Sequence, residues 1–209
     1  MSLLHAAIKY PFLVNPFKLH EAIKKIQPTY QEYVSIVSTP EMTISLKTAG
    51  VIYVLCNEMQ PKKILDLGSG FSSFVFRLYA GLQNDIVIIS SIDDNTKWLN
   101  FTKRFLSRQK ISTDGLYLWD EFKTYPLKEF DLILHDLGNM CVRISSLPSV
   151  LRFVKKNSGL LLLDDMHKEE YRSQVFNLLE THSFRYIKLD YLTKDNFGRY
   201  CGLAYDIEM

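Results

Sequence analysis

At 209 residues the chain fits one domain, able to bury roughly 70% of its unfolded surface. Charged residues make up 23% against 47% apolar, an ordinary globular balance. The net charge of +2 gives no electrostatic footprint for nucleic acid or an anionic membrane.

Four of the seven prolines, Pro11, Pro16, Pro28 and Pro40, fall in the first forty residues. That density predicts short helices and turns there, with no single long helix. Apolar patches near the N-terminus are interrupted by proline, and no small-residue cleavage site follows, so neither a signal peptide nor a membrane span is expected. From Thr43 to Met59, Ile44, Val51, Ile52, Leu55 and Met59 recur at helical spacing until Pro61. Residues 1–60 are therefore expected to form a helical cap and residues 61–209 the core.

Beyond Pro61 short apolar runs alternate with amphipathic ones. The predicted strands are Lys63–Leu67, Ile86–Ile92, Leu116–Trp119, Asp131–His135 and Leu160–Leu163. Helices are predicted at 71–80, 96–109, 145–156 and 167–181. Strands apolar on both faces and separated by helices argue for a parallel sheet covered on both sides. Two final runs, Arg185–Leu192 and Arg199–Ile207, are joined by Thr193–Gly198, which makes them an antiparallel pair. The basic cluster Lys103, Arg104, Arg108 and Lys110 alternates with apolar residues and reads as the wet face of a helix. Cys56, Cys141 and Cys201 are widely spaced, without a CxxC pair, and point to a reducing, cytoplasmic setting.

The stretch ILDLGSGFSS joins the first strand to a helix. In an open parallel sheet, ligands bind beyond the carboxyl ends of the strands. Gly68 and Gly70 allow unusual backbone angles and a close ligand approach, and Ser72 or Ser73 can cap the helix. The dinucleotide fingerprint requires glycine where Ser73 stands. Asp66, two residues before Gly68, is a poor neighbour for pyrophosphate and a good one for a cation. The next strand, IVIISSID, ends in Asp93, a carboxylate suited to ribose hydroxyls. Ribose plus positive charge without a diphosphate describes S-adenosylmethionine.

ILDLGSGFSS and SIDDN resemble the first and second motifs of class I S-adenosylmethionine-dependent methyltransferases, and EFDLILHD and SGLLLLDD resemble their fourth and fifth strands. The resemblance covers about 150 residues. It implies an α/β, Rossmann-like, three-layer αβα fold: seven strands, mostly parallel, with the last antiparallel, beside the N-terminal helical cap. It also implies Asp66, Gly68, Ser69 and Gly70 around the methionine part of the cofactor, Asp93 on the ribose and Asp120 near the adenine amine. Asp94 reads as the cap of the helix near Thr96, and Trp119 as core or an adenine platform.

Within that family the chain is most similar to small-molecule O-methyltransferases of the catechol and caffeoyl-CoA type, which carry metal-binding acids after the fourth and fifth strands. The matching positions are Asp136, Asp164 and Asp165. Three carboxylates at neighbouring strand tips repel unless protonated or neutralised by a cation, and oxygen ligands suit Mg²⁺ or Ca²⁺. Such an ion would lower the pKa of a substrate hydroxyl. The alternative has Asp165 capping the helix near Met166 and Asp136 facing the cofactor. Asn139 stands where the catechol type has its lysine, which leaves His167, and less so His135, as the general base.

These readings imply methyl transfer to an oxygen of a small molecule, with no nucleic-acid or membrane partner and a homodimer left open. A non-catalytic cofactor-binding scaffold and a nicotinamide oxidoreductase remain as alternatives. Base methylation is disfavoured because HDLGN stands where amino-directed enzymes carry N-P-P-[FY]. Tyr10, Phe12, Phe17, Tyr30 and Tyr33 are candidates to line a pocket for a planar substrate or to pack the cap.

Overall fold

A computed structural model describes residues 15–124 and 129–206. Two helices come first, α1 (Pro16–Ile36) and α2 (Leu46–Met59). Then follow β1 (Lys63–Leu67), α3 (Phe71–Ala80), β2 (Ile88–Asp93), α4 (Thr96–Arg108), β3 (Leu116–Leu118) and the short α5 (Trp119–Phe122). The chain continues with β4 (Leu132–His135), α6 (Met140–Phe153), β5 (Leu160–Leu163), α7 (Glu169–Thr181), β6 (Phe184–Lys188), a one-turn α8 (Asp190–Thr193) and β7 (Gly202–Asp206).

The seven strands form one sheet in the order β3-β2-β1-β4-β5-β7-β6, and only β7 runs against its neighbours. The expected antiparallel pair is present, from Phe184 opposite Asp206 to Lys188 opposite Gly202. The second predicted run of that pair extended to Ile207, which lies outside the described residues.

Alternation along the strands separates two cores. Ile64, Leu132, Leu134 and Leu203 face α1 to α4, whereas Leu65, Leu67, Ile133 and Leu163 face α6 and α7. This is why the strands read as unbroken apolar runs. Because β1 and β4 are neighbours and the chain winds outward from them in opposite directions, a crevice opens at their carboxyl ends. Among the described residues, no helix is long and apolar enough to cross a membrane.

The proline-rich start departs from expectation, because α1 is a single helix of 21 residues. Asn15 caps it by accepting from the amides of Phe17 and Lys18, and Pro16 occupies the first turn, where its missing N–H costs nothing. Ala22, Ile26 and Tyr33 bury one face, while Pro28 sits on the exposed face. Gly50 of α2 lets α1 approach: a β-carbon there would lie 2.8 Å from Ile23.

Some boundaries also shift. Helix α6 begins at Met140 instead of 145 because Asn139 caps it, and it runs through Pro148. Strand β2 starts at Ile88, leaving Ile86 86% exposed. The run predicted as strand 185–192 ends at Lys188 and turns into α8.

Pro28 interrupts the hydrogen-bond ladder of α1 without burying its ring. Pro28→Ala is expected to raise stability by about 1–3 kcal/mol in a thermal or denaturant melt. An unchanged or lower midpoint would contradict this account of the helix.

Candidate functional site

The β1–α3 turn is wired from beneath. Asp66 is fully buried, and its carboxylate accepts hydrogen bonds from the Ser72 hydroxyl at 2.7 Å and from the Ser73 hydroxyl. Ser73 in turn accepts from the Gly70 amide at 3.2 Å. Burial pushes the Asp66 carboxyl up, and the serine hydroxyls oppose it. This corrects the expectation for Asp66, which faces the sheet interior and fastens the turn where a ligand-facing carboxylate was anticipated. Ser72 and Ser73 are likewise spent on Asp66.

Gly68 has φ +98°, and a β-carbon there would come within 2.3 Å of the Asp136 carbonyl oxygen. Its glycine requirement thus comes from the crossing of the β1 and β4 tips. At Gly70 a β-carbon would meet the Tyr33 hydroxyl at 3.2 Å.

Ser69 links the first two strand tips. Its amide and its hydroxyl both donate to Oδ2 of Asp93, each at 2.9 Å, and Oδ1 accepts from the Asn95 amide at 2.9 Å. Asp93 is 6% exposed, and that residual surface opens into a cleft of about 670 Å³. Burial pushes its carboxyl from the ordinary 3.8 up to about 6, with the Ser69 hydroxyl opposing. The cap of α4 is Asn95, which accepts from Lys97 and Trp98, and not the expected Asp94. Asp94 is an exposed residue of the cleft wall, against Gly138.

The cleft lies over the tips of β1, β2, β4 and β5 and is walled on one side by residues 38–44. Arg199 holds that wall in place, donating to the carbonyls of Pro40 and Glu41 while Asp195 pairs with it at 2.7 Å. Three aromatic residues line the cleft, Tyr33, Phe71 and Trp98. Tyr33 is fixed edge-on against Phe105, with centroids 4.8 Å apart. Of the other candidate aromatics, Tyr30 packs on Phe71, Phe17 is 81% exposed, and Tyr10 and Phe12 lie outside the described residues.

Trp119 and Asp120 lie in α5, beyond the cleft wall. Trp119 packs on the second core, and Asp120 points to solvent, paired with Lys123 at 2.6 Å. The position expected near adenine is thus a surface ion pair. Trp98, in the first turn of the helix that follows the acidic motif, lines the cleft, a placement the sequence reading did not anticipate.

At the other end of the cleft Asp136, Asp164 and Asp165 do converge, and so does a residue the sequence reading passed over. Arg143, one turn into α6 and 5% exposed in its side chain, reaches Asp136 at 2.6 Å and Asp165 at 3.0 Å. Lys168 adds a bond to Asp165 at 2.7 Å, and the Cys201 thiol donates to Asp164 at 3.0 Å. Burial raises the Asp136 carboxyl, against the Arg143 charge. Burial disfavours the Arg143 charge as well, but Asp136 and Asp165 outweigh it and hold the guanidinium protonated.

The three carboxylates therefore do not present the open oxygen set that a Mg²⁺ or Ca²⁺ site needs. Among the described residues, no group of three or more acidic, histidine or cysteine side chains is arranged to hold a metal. Asp165 adopts the left-handed region, φ +59°, and is no helix cap, since α7 starts at Glu169. Asn139, in the place of the expected lysine, caps α6.

His167 lies in the cleft wall with Nδ1 3.5 Å from Asp165 Oδ1. His135 is enclosed under the sheet, bonded to Ser146 at 3.0 Å and pushed down to about 3 by burial, so it cannot reach the cleft. The Thr43 hydroxyl also lines the cleft, buried and without a hydrogen-bond partner among the described residues. The cleft thus offers a hydrogen-bond acceptor at Asp93, an aromatic wall at Trp98 and an unsatisfied hydroxyl at Thr43.

Because Asp93 prefers its protonated form in the folded chain, its stabilisation is complete below the unfolded value near 3.8 and is lost as pH rises through about 6. Between pH 4.5 and 7, ligand-free wild type is expected to lose about 2 kcal/mol relative to Asp93→Asn in denaturant unfolding. A difference that does not change with pH would contradict the buried carboxylate.

No protein-family model matches the sequence, and no curated protein does. Solved structures do match. S-adenosylhomocysteine-bound PaMTH1, a methyltransferase from Podospora anserina, aligns with TM-score 0.64 at 14% identity over 100% of this chain and 97% of its own. Cofactor-bound Rv0187 from MTB gives 0.65 at 14% identity over 88% and 91%. The O-methyltransferase TomG of Streptomyces achromogenes, in complex with S-adenosylmethionine, gives 0.62 at 15% identity over 90% of each chain. With the strand order and the crevice above, these likenesses show that the chain has the fold of the class I S-adenosylmethionine-dependent methyltransferases.

Proposed function

We propose that the protein is an S-adenosylmethionine-dependent methyltransferase acting on an oxygen of a small-molecule acceptor. The observation that carries this reading is the Ser69–Asp93 junction, a carboxylate at the second strand tip that opens into a cleft shared with Asp136 and His167. In this reading Asp93 accepts the ribose hydroxyls, and Gly68, Ser69 and Gly70 line the methionine part. Trp98 takes the place on the adenine side that Asp120 was expected to fill. Residues 1–60 are the N-terminal cap, of which residues 38–44 wall the cleft, and residues 61–209 the cofactor-binding core.

When bound, S-adenosylmethionine supplies a methyl group activated by a positively charged sulfur, which keeps the electrons of the broken bond and becomes a neutral thioether. What remains for the chain is to place an acceptor oxygen in line with that methyl and to take its proton. His167 is the base that takes this proton; Asp165 Oδ1 lies 3.5 Å from its Nδ1 without a hydrogen bond, so the carboxylate acts on the ring through its charge. Asp136, half-buried at the β4 tip, brings negative charge toward the sulfonium end. The neighbouring structures support this assignment through the bound molecules named for them, S-adenosylmethionine and S-adenosylhomocysteine. A nicotinamide ligand is disfavoured because Ser73 occupies the position of the third glycine and is tied to Asp66.

Trp98 offers the readout. S-adenosylmethionine is expected to change its fluorescence with a dissociation constant on the order of micromolar. The signal should vanish in Trp98→Phe, and affinity should drop at least tenfold in Asp93→Ala. Affinity should also fall roughly tenfold per pH unit below about 6, because protonation removes the acceptor that the ribose requires. Response to NAD with none to S-adenosylmethionine would sink the assignment. For the base, His167→Gln should leave that affinity unchanged and slow S-adenosylhomocysteine release by about 10²–10⁴-fold across a panel of small phenols and hydroxy acids. Unchanged turnover would remove His167 from the role.

A further inference from the structure

We propose that Arg143 is the resident cation of the acceptor end, supplying as a fixed guanidinium the positive charge that a divalent ion would otherwise bring to Asp136 and Asp165. The charge claim stands on geometry alone; its bearing on methyl transfer rests on the function proposed above.

Three carboxylates meet at two adjacent strand tips, an arrangement that requires a counter-charge. That counter-charge is built into α6. Asn139 caps the helix at the β4 tip, and Arg143, four residues later, is turned back toward that tip. Its Nη2 contacts Asp136 Oδ1 at 2.6 Å and the carbonyl of Gly138 at 3.2 Å. Its Nη1 donates to Asp165 Oδ2 at 3.0 Å, and Nε points at the Leu137 carbonyl at 3.4 Å. The fork spans two carboxylates at once, a task suited to a planar guanidinium more than to an ammonium.

The buried Tyr171 ring lies 6.0 Å from the guanidinium carbon. Asp164, which Arg143 does not bond, takes the Cys201 thiol instead. An incoming divalent ion would have to displace a buried positive charge from its own ligands.

Arg143 is therefore a positioning residue. Its Nε, Nη1 and Nη2 contacts are all to the protein, so it acts on an acceptor through the orientation and charge of Asp136 and Asp165. A merely structural arginine would lower stability when removed but would create no metal site. If Arg143 stands in for an ion, removing it should open one.

The test is Mn²⁺ binding, read by the electron paramagnetic resonance of free Mn²⁺, together with thermal melts with and without 5 mM Mn²⁺. Wild type and Arg143→Lys should leave Mn²⁺ free, with unchanged melting points. Arg143→Ala, and Arg143→Ala combined with Asp165→Asn to relieve the exposed charge, should bind one Mn²⁺ per chain and melt several degrees higher with it. A variant unfolded without Mn²⁺ and folded with it would support the proposal equally. One tight Mn²⁺ in the wild type would overturn it, as would alanine variants that behave alike with and without Mn²⁺. None of these readouts uses S-adenosylmethionine, so failure here leaves the Trp98 binding result to stand or fall separately.

Discussion

The architecture hangs on the Asp66 carboxylate under the β1–α3 turn. By accepting both Ser72 and Ser73 hydroxyls it ties the end of the first strand to the start of α3, while Ser73 fixes the Gly70 amide above it. Arg77 extends the same buried network from α3 to Ser91 of β2 at 2.8 Å. A buried carboxylate without such partners would cost several kcal/mol; with them it makes one geometry of the turn far better than its neighbours. Ser69 then points both of its donors at Asp93, so the turn and the second strand tip present one surface to the cleft.

The two ends of the cleft handle charge differently. At the β2 tip, Asp93 is held by neutral donors alone and remains a poised acceptor, destabilised in its ionised form. At the β4 and β5 tips, the carboxylates are balanced by Arg143 and Lys168. Strain is kept at this second end, where Asp165 adopts a left-handed conformation while meeting both cations. On the function proposed above, such a cleft suits neutral hydroxyl donors beside Asp93 and a neutral, polar acceptor near His167.

Much of the fold was legible because its determinants are local. β1 and β5 end where their apolar runs end, and α3 spans the predicted 71–80. Expectations failed where a residue's partner is remote in sequence. Counting prolines misjudged α1, since Pro16 starts that helix and Pro28 faces solvent. Asp136, Asp164 and Asp165 could be placed together from their strand tips, but the side chain between them comes from α6, and its seven-residue spacing from Asp136 signals nothing by itself. Asp66 was assigned to the ligand on its position beside the glycines, whereas the alternation of β1 turns it inward with Ile64. Asp120 and Trp119 depended on where a three-residue edge strand stops, and there α5 carries them away from the cleft.

The central proposal is spatial: a sulfur-bearing nucleoside bound across the first two strand tips, with its reactive end toward Asp136. A crystal structure of the complex with S-adenosylhomocysteine tests this most directly. The account predicts both ribose hydroxyls within hydrogen-bond distance of Asp93, the adenine against Trp98 and the sulfur between Gly68 and Asp136. A ligand seated elsewhere, or one whose ribose avoids Asp93, would contradict it.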